Sequence, residues 1–114
     1  MIGIKKPDLS FGISNVTKRY KVNLTQSAQN DLEHIYSYIA ADSVNNANQF
    51  VLELEEQIYS LEIFPERYPF IPENDFFETD YRHLNYKKYR LIYRISQNIV
   101  YILRIIKGSK LLDI

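Results

Sequence analysis

Arginine, lysine, histidine and the carboxylates are the side chains with which this 114-residue sequence could do chemistry, because it contains no cysteine. Disulfides, thiolate-bound zinc and cysteine nucleophiles are excluded, and a reducing cytoplasm is the expected setting. Residues 81–114 hold eight basic side chains against Asp113 alone, a balance of +7. Within that segment, Arg90 lies in an aromatic and β-branched run, where a guanidinium could fork onto a phosphate. His83 could act as an acid or a base near neutral pH. Each has a plainer reading: Arg90 as an exposed strand residue, His83 as a surface side chain. His34, on a charged helical sector, reads as surface.

Other constellations fall short. The three glycines are scattered, so there is no phosphate-cradling loop. The carboxylates of residues 26–80 read mostly as solvated helix faces. The tyrosines between Tyr81 and Tyr101 could stack on bases among the arginines. Tyr89 and Tyr93 alternate along a strand, however, and read as core.

Net charge is zero, yet strongly segregated. Residues 1–25 have five basic and one acidic side chain, a balance of +4, and residues 26–80 have twelve acidic against Arg67, a balance of −11. This asymmetry points to a polyanionic or acidic partner, or to two halves that neutralise each other across the fold. The length suits one domain with one core. No apolar run approaches the ~20 residues that cross a bilayer, and Lys5-Lys6 precede Pro7-Asp8 rather than a signal-like apolar stretch. No membrane association is expected.

The elements that must position these side chains follow from periodicity. Residues 1–18, with Gly3, Pro7 and Gly12, read as an irregular arm, and residues 19–114 as a single domain. Alternation over residues 20–24 predicts a strand. Thr25 is a candidate N-cap for a helix with Ala28, Leu32, Ile35 and Ile39 on one face. Asp31 and Glu33 lie in its early turns, where the dipole favours negative charge. Asp42-Ser43 caps a second helix whose stripe is Ala47, Phe50 or Val51, Leu54, Ile58 and Leu61. Its opposite face carries Glu53, Glu55, Glu56 and Gln57, and Pro65 ends it. A loop over residues 65–80 interleaves Pro65, Pro69 and Pro72 with Tyr68, Phe70, Phe76 and Phe77, aromatics expected to pin it to the body. Strands are predicted over 81–86, 89–95 and 99–106, with Ser96-Gln97-Asn98 turning between the last two. A strand, a helical hairpin and a three-stranded antiparallel meander make an α+β fold, with the helices on one face of the sheet and a cationic open face.

That ordered set resembles the RelE/ParE toxin superfamily over residues 20–106. The resemblance rests on Leu24-Thr25, Ala28, Asp31-Leu32, Ile35 and Tyr38-Ile39, then Ala47, Phe50 and Leu61 ahead of Pro65. It continues through Arg82 and Leu84, the run from Tyr89 to Ile95, and Val100 to Ile105. The paired helices and the proline-rich loop are closer to the ParE and plasmid-stabilisation branch than to RelE.

The resemblance implies a bacterial toxin of a type II toxin–antitoxin system, neutralised by a cognate antitoxin from the adjacent gene in a hetero-oligomer. Two targets are open under it, DNA gyrase or ribosome-bound messenger RNA, and no cofactor or metal is implied. A non-toxic interaction module on the same fold is a third reading. If the chain is a metal-independent mRNA endonuclease, the positions approximating the family's site are Arg82, His83, Arg90 and Lys110. Such a site needs a base for the 2′-hydroxyl, cations for the transition state and an acid for the leaving oxygen. The sequence departs from many relatives after the last strand. It has Lys107-Gly108-Ser109-Lys110 where a histidine and a basic pair are expected. That departure weakens the nuclease reading and leaves the gyrase reading intact.

Overall fold

The computed structural model describes residues 18–113. The arm expected over residues 1–18 thus lies outside the described residues, Lys18 excepted. Strand β1 (Lys21–Leu24) leads into helices α1 (Gln26–Ala40) and α2 (Val44–Tyr59). Two short 3₁₀ turns and the single-turn helix α3 (Asn74–Phe77) follow. The meander is β2 (Arg82–Tyr86), β3 (Tyr89–Ser96) and β4 (Ile99–Lys107).

Both long helices start where the sequence places their caps. The Thr25 side chain accepts the Ala28 amide at 3.2 Å, and that of Ser43 accepts the Asn46 amide at 3.1 Å. Each cap satisfies a donor that the first helical turn leaves open. α2 stops earlier than Pro65. It tightens into a 3₁₀ turn over Ser60–Glu62, and Pro65 instead opens a second 3₁₀ turn, a position that tolerates its missing amide proton.

The sheet runs β1-β4-β3-β2, with β1 parallel to β4 and the meander antiparallel. The helical hairpin between β1 and the meander lets the first strand lie beside the last. Ala28, Leu32 and Ile35 of α1 and Phe50, Leu54 and Ile58 of α2 bury against Leu84, Leu91, Tyr93, Val100 and Ile102. Each large aliphatic buried here contributes roughly 1.5–3 kcal/mol.

Strand periodicity sends the alternate residues to the other face. There Ile92 and Ile106 meet Ile71 from the loop and Leu112 from the C-terminal segment in a second, smaller cluster, with Tyr81 at its margin. The face opposite the helices is thus partly covered rather than open. Loop and sheet are joined by backbone bonds from Ile71 N to Tyr81 O and from His83 N to Pro69 O. Asn74 ties the loop's return by donating to Tyr81 O and accepting from Thr79 and the Tyr81 amide.

Three expectations need correction. The loop aromatics do not all pin it: Phe76 is 87% exposed and Phe70 and Phe77 also face solvent, because Ile71 does the anchoring. Glu55 is buried on α2 rather than solvated, since the second helix turns more of its circumference inward than a single stripe implies. Asp31 lies beyond α1's first turn, and its carboxylate binds Arg104 of β4 instead of facing the dipole.

Candidate functional site

Cross-strand register divides the four sequence candidates. Arg82 pairs with Tyr93, so it stands on the helix-side row of β2 with Leu84. His83 pairs with Ile92, and Asn85 with Arg90, which puts His83 and Arg90 diagonally across the other face. Diagonal neighbours of this kind lie ~7–8 Å apart, within reach of long side chains.

Arg82 is committed to structure. Its Nη1 donates to the carbonyls of Glu66 at 2.9 Å and Tyr68 at 2.6 Å. Its guanidinium also stacks 4.0 Å from the centre of the Phe70 ring. This explains the loop's path: a cation gathers two carbonyls and an exposed aromatic.

Arg90 is not the exposed strand residue that its plainer reading made it. It is 5% exposed and held by Glu73, itself 5% exposed. Nη1 donates to Glu73 Oε1 at 3.1 Å and Nη2 to Oε2 at 2.6 Å, a two-pronged ion pair. Nη2 also donates to Lys110 O at 2.7 Å, while the Leu112 amide donates to Glu73 Oε2 at 2.9 Å. The pair therefore clasps the C-terminal segment through two of its backbone groups. The Arg90 hydrogen bonds, helped by the Leu112 amide and opposed by burial, hold the Glu73 carboxyl down to about 2. Lys110 joins the cluster by its carbonyl, and its residue is exposed.

His83 is half-buried beside this pair. Burial first, and the Arg90 charge second, lower its pKa below 6.5, against a smaller opposing pull from Glu73. The ring is thus kept neutral near pH 7. Its Nδ1 and the Nε of Arg90 are both buried without a hydrogen-bond partner among the described residues. A depressed histidine pKa has a definite linkage sign. The unfolded chain takes up the proton first, so stability falls as pH drops below about 6.5 toward the folded value. Ring-proton NMR should give a His83 midpoint below 6.5, and His83→Gln should flatten the stability profile in that window.

The geometry thus gathers Arg90, His83 and the Lys110 carbonyl on one face and sends Arg82 to the other. Chemically, the group holds a neutral imidazole beside a guanidinium whose fork is already filled by a carboxylate. A phosphate would have to displace Glu73 to reach it. Glu73 is the member of this cluster that the sequence does not single out, since nothing local in Ile71-Pro72-Glu73 separates it from a solvated loop carboxylate. Among the described residues no group of three or more histidines, aspartates or glutamates could hold a metal ion. Nor, among those residues, is any helix long and apolar enough to cross a membrane.

Comparison with known proteins agrees with this architecture. A chain of the solved chromosomal ParDE TA system from P. aeruginosa superposes with a TM-score of 0.64 at 20% identity, covering 80% of this chain and 98% of that one. At that identity the likeness is one of fold. No curated protein matches. The family model described as the ParE toxin of the type II toxin–antitoxin system, parDE, matches residues 22–112, from β1 through the Leu112 that Glu73 clasps. With four-fifths of its length matched, the chain belongs to the ParE toxin family.

Proposed function

We propose that this chain poisons DNA gyrase by binding it, without covalent chemistry of its own, and that a cognate antitoxin neutralises it. The observation that carries this reading is the closed fork of Arg90. The cation best matched to a scissile phosphate is buried and paired with Glu73. Arg82, a second cation such a site would need, is spent on loop carbonyls on the other face. A cleavage site requires base, cation and acid to converge on one phosphate, and Arg82 stands on the opposite face of the sheet from Arg90 and His83. A binding toxin needs no such convergence.

Purified chain added to gyrase and relaxed plasmid is expected to block supercoiling at micromolar concentration, and its induction in bacteria to trigger DNA-damage signalling. Co-expression of the neighbouring reading frame should restore growth. Gyrase that is indifferent to micromolar toxin would overturn the proposal.

The alternative, a ribosome-dependent mRNA endonuclease at Arg82, His83, Arg90 and Lys110, is favoured by one observation. The unpartnered Nδ1 of His83 and Nε of Arg90 lie on the same face of the sheet. Under that reading, primer extension shows cuts in translated messages, and His83→Gln removes them while leaving the fold intact.

A further inference from the structure

Beside α1, where β4 leaves the sheet, lies a groove of about 370 Å³ that the proposed function does not use. Its aliphatic lining residues, Ile35, Ile105 and Ile106, are themselves buried, so they offer a visitor little apolar area. What the groove presents outward is Tyr38, 74% exposed, with the exposed Lys107 and Lys110 on its rim. The Lys107 ammonium lies 5.8 Å from the centre of the Tyr38 ring. The β2–β3 turn sets the backbone of a third exposed lysine beside the end of β4, for Gly108 N donates to Lys88 O at 2.7 Å.

The local charge is not cancelled. Asp31 is the sole carboxylate among the lining residues, and Arg104 fills it through Nε at 2.7 Å and Nη2 at 3.0 Å. Asp113, whose charge reaches Arg104, is a second acid nearby. Lys88, Lys107 and Lys110 have no carboxylate partner among the described residues. Elsewhere the ion pairs join Lys87 to Glu53 and Arg90 to Glu73, and none of them draws on these three lysines.

We infer that this groove binds a single strand of DNA directly, with Lys88, Lys107 and Lys110 on successive phosphates and a base stacked on Tyr38. Lysines that track a backbone beside an accessible aromatic face are the pattern of sequence-tolerant strand binding. An acidic amphipathic helix fits less well. Its binding energy comes from exposed aliphatic area, and the aliphatic residues here are already covered. The inference goes beyond gyrase poisoning and does not depend on it, because it concerns DNA and toxin alone.

Anisotropy of a labelled oligothymidylate, titrated with the full chain at several salt concentrations, tests this. Three phosphate contacts to a single strand predict a slope of log affinity against log salt of about −2. Lys107→Glu should weaken binding at low salt at least tenfold and make the slope shallower. Tyr38→Ala should weaken it about tenfold with the slope unchanged, which a purely electrostatic surface would not do. Lys21→Glu, at the opposite end of the sheet, should leave binding as it is. The groove residues changed are exposed, and circular dichroism confirms folding of each variant. Absence of salt-sensitive binding, or equal binding by the Tyr38→Ala and Lys107→Glu variants and the parent, overturns the inference. So does equal competition by polyglutamate, which would mark an acidic protein as the occupant. Preference for oligouridylate over oligothymidylate would overturn the assignment to DNA. Gyrase inhibition persisting in a chain that binds no DNA would sink this inference and leave the proposed function standing.

Discussion

Glu73→Ala should destabilise the fold by about 3–5 kcal/mol, the range for removing one partner of a buried ion pair. For a domain of this size that means a fall in Tm of ~15 °C or more. The cost does not measure the attraction alone. Arg90, 5% exposed in the parent, would be left with its charge uncompensated and Nη1 without an acceptor, and the Leu112 amide would lose its partner too. The C-terminal segment should loosen as a consequence, since only the Lys110 carbonyl would still tie it to Arg90. Hydrogen exchange at the Leu112 amide is the local readout, and thermal unfolding the global one. A Glu73→Leu/Arg90→Met double variant should recover most of the loss, because replacing both charges by apolar volume removes the desolvation cost with the attraction. If Glu73→Ala unfolds at the parental temperature, the pair is not the clasp described.

The same pair sets an acid limit. A carboxyl held down at about 2 contributes stability that is complete above its unfolded value near 4.5. That contribution declines as pH falls from there toward 2. The His83 effect lies higher, below about 6.5, and has the opposite origin: a neutral ring forced to accept charge. Acid unfolding should therefore show two windows, the upper removed by His83→Gln and the lower reduced by the double variant, with Glu53 a second carboxyl held below its ordinary value by Tyr86 and Lys87.

Local patterns were legible in the sequence, and pairings across the fold were not. Thr25 and Ser43 announce their helices because a cap is chosen by residues within three positions. Tyr93 announces itself as core by alternation and is fully buried, its hydroxyl donating to Pro65 O at 2.6 Å. The α+β order and the ParE resemblance follow from such local signals read in sequence. The placement of Arg90, by contrast, depends on a carboxylate seventeen residues away in an irregular loop, and Arg104 on one seventy-three away. No periodicity encodes those distances. The split of Arg82 from His83 was legible in principle, for adjacent strand residues face opposite ways. The charge segregation is met in part by pairs across the fold, through Asp31, Glu53 and Glu73. What remained hidden was which cations would be left over.

Asp31→Ala is the second substitution expected to act strongly, with a cost of about 3 kcal/mol, because Asp31 repairs a defect in the sheet. The ladder between β3 and β4 slips there: Ile92 faces Arg104, yet Tyr93 faces Ile102, so Leu103 is an extra residue. A bulge of this kind disrupts the ladder and leaves backbone groups to be satisfied elsewhere. The start of α1 supplies what is missing. Thr25 donates through Oγ1 to Leu103 O at 3.0 Å, and Asp31 Oδ2 accepts the Ile105 amide at 2.9 Å while both oxygens hold Arg104. Alanine would remove an acceptor of three donors, one of them a backbone amide. Hydrogen bonds to a charged group contribute ~1.5–3 kcal/mol, and a stranded buried donor adds a penalty. Asparagine keeps one oxygen for the Ile105 amide but drops the charge, so Asp31→Asn should cost about half as much. Because Arg104 would lose its carboxylate next to the lysine-rimmed groove, Asp31→Ala should also raise DNA affinity there as stability falls. Urea unfolding and oligonucleotide anisotropy on the same preparation would register the two opposite changes. A variant losing both together would mean that Asp31 shapes the groove rather than neutralising its margin.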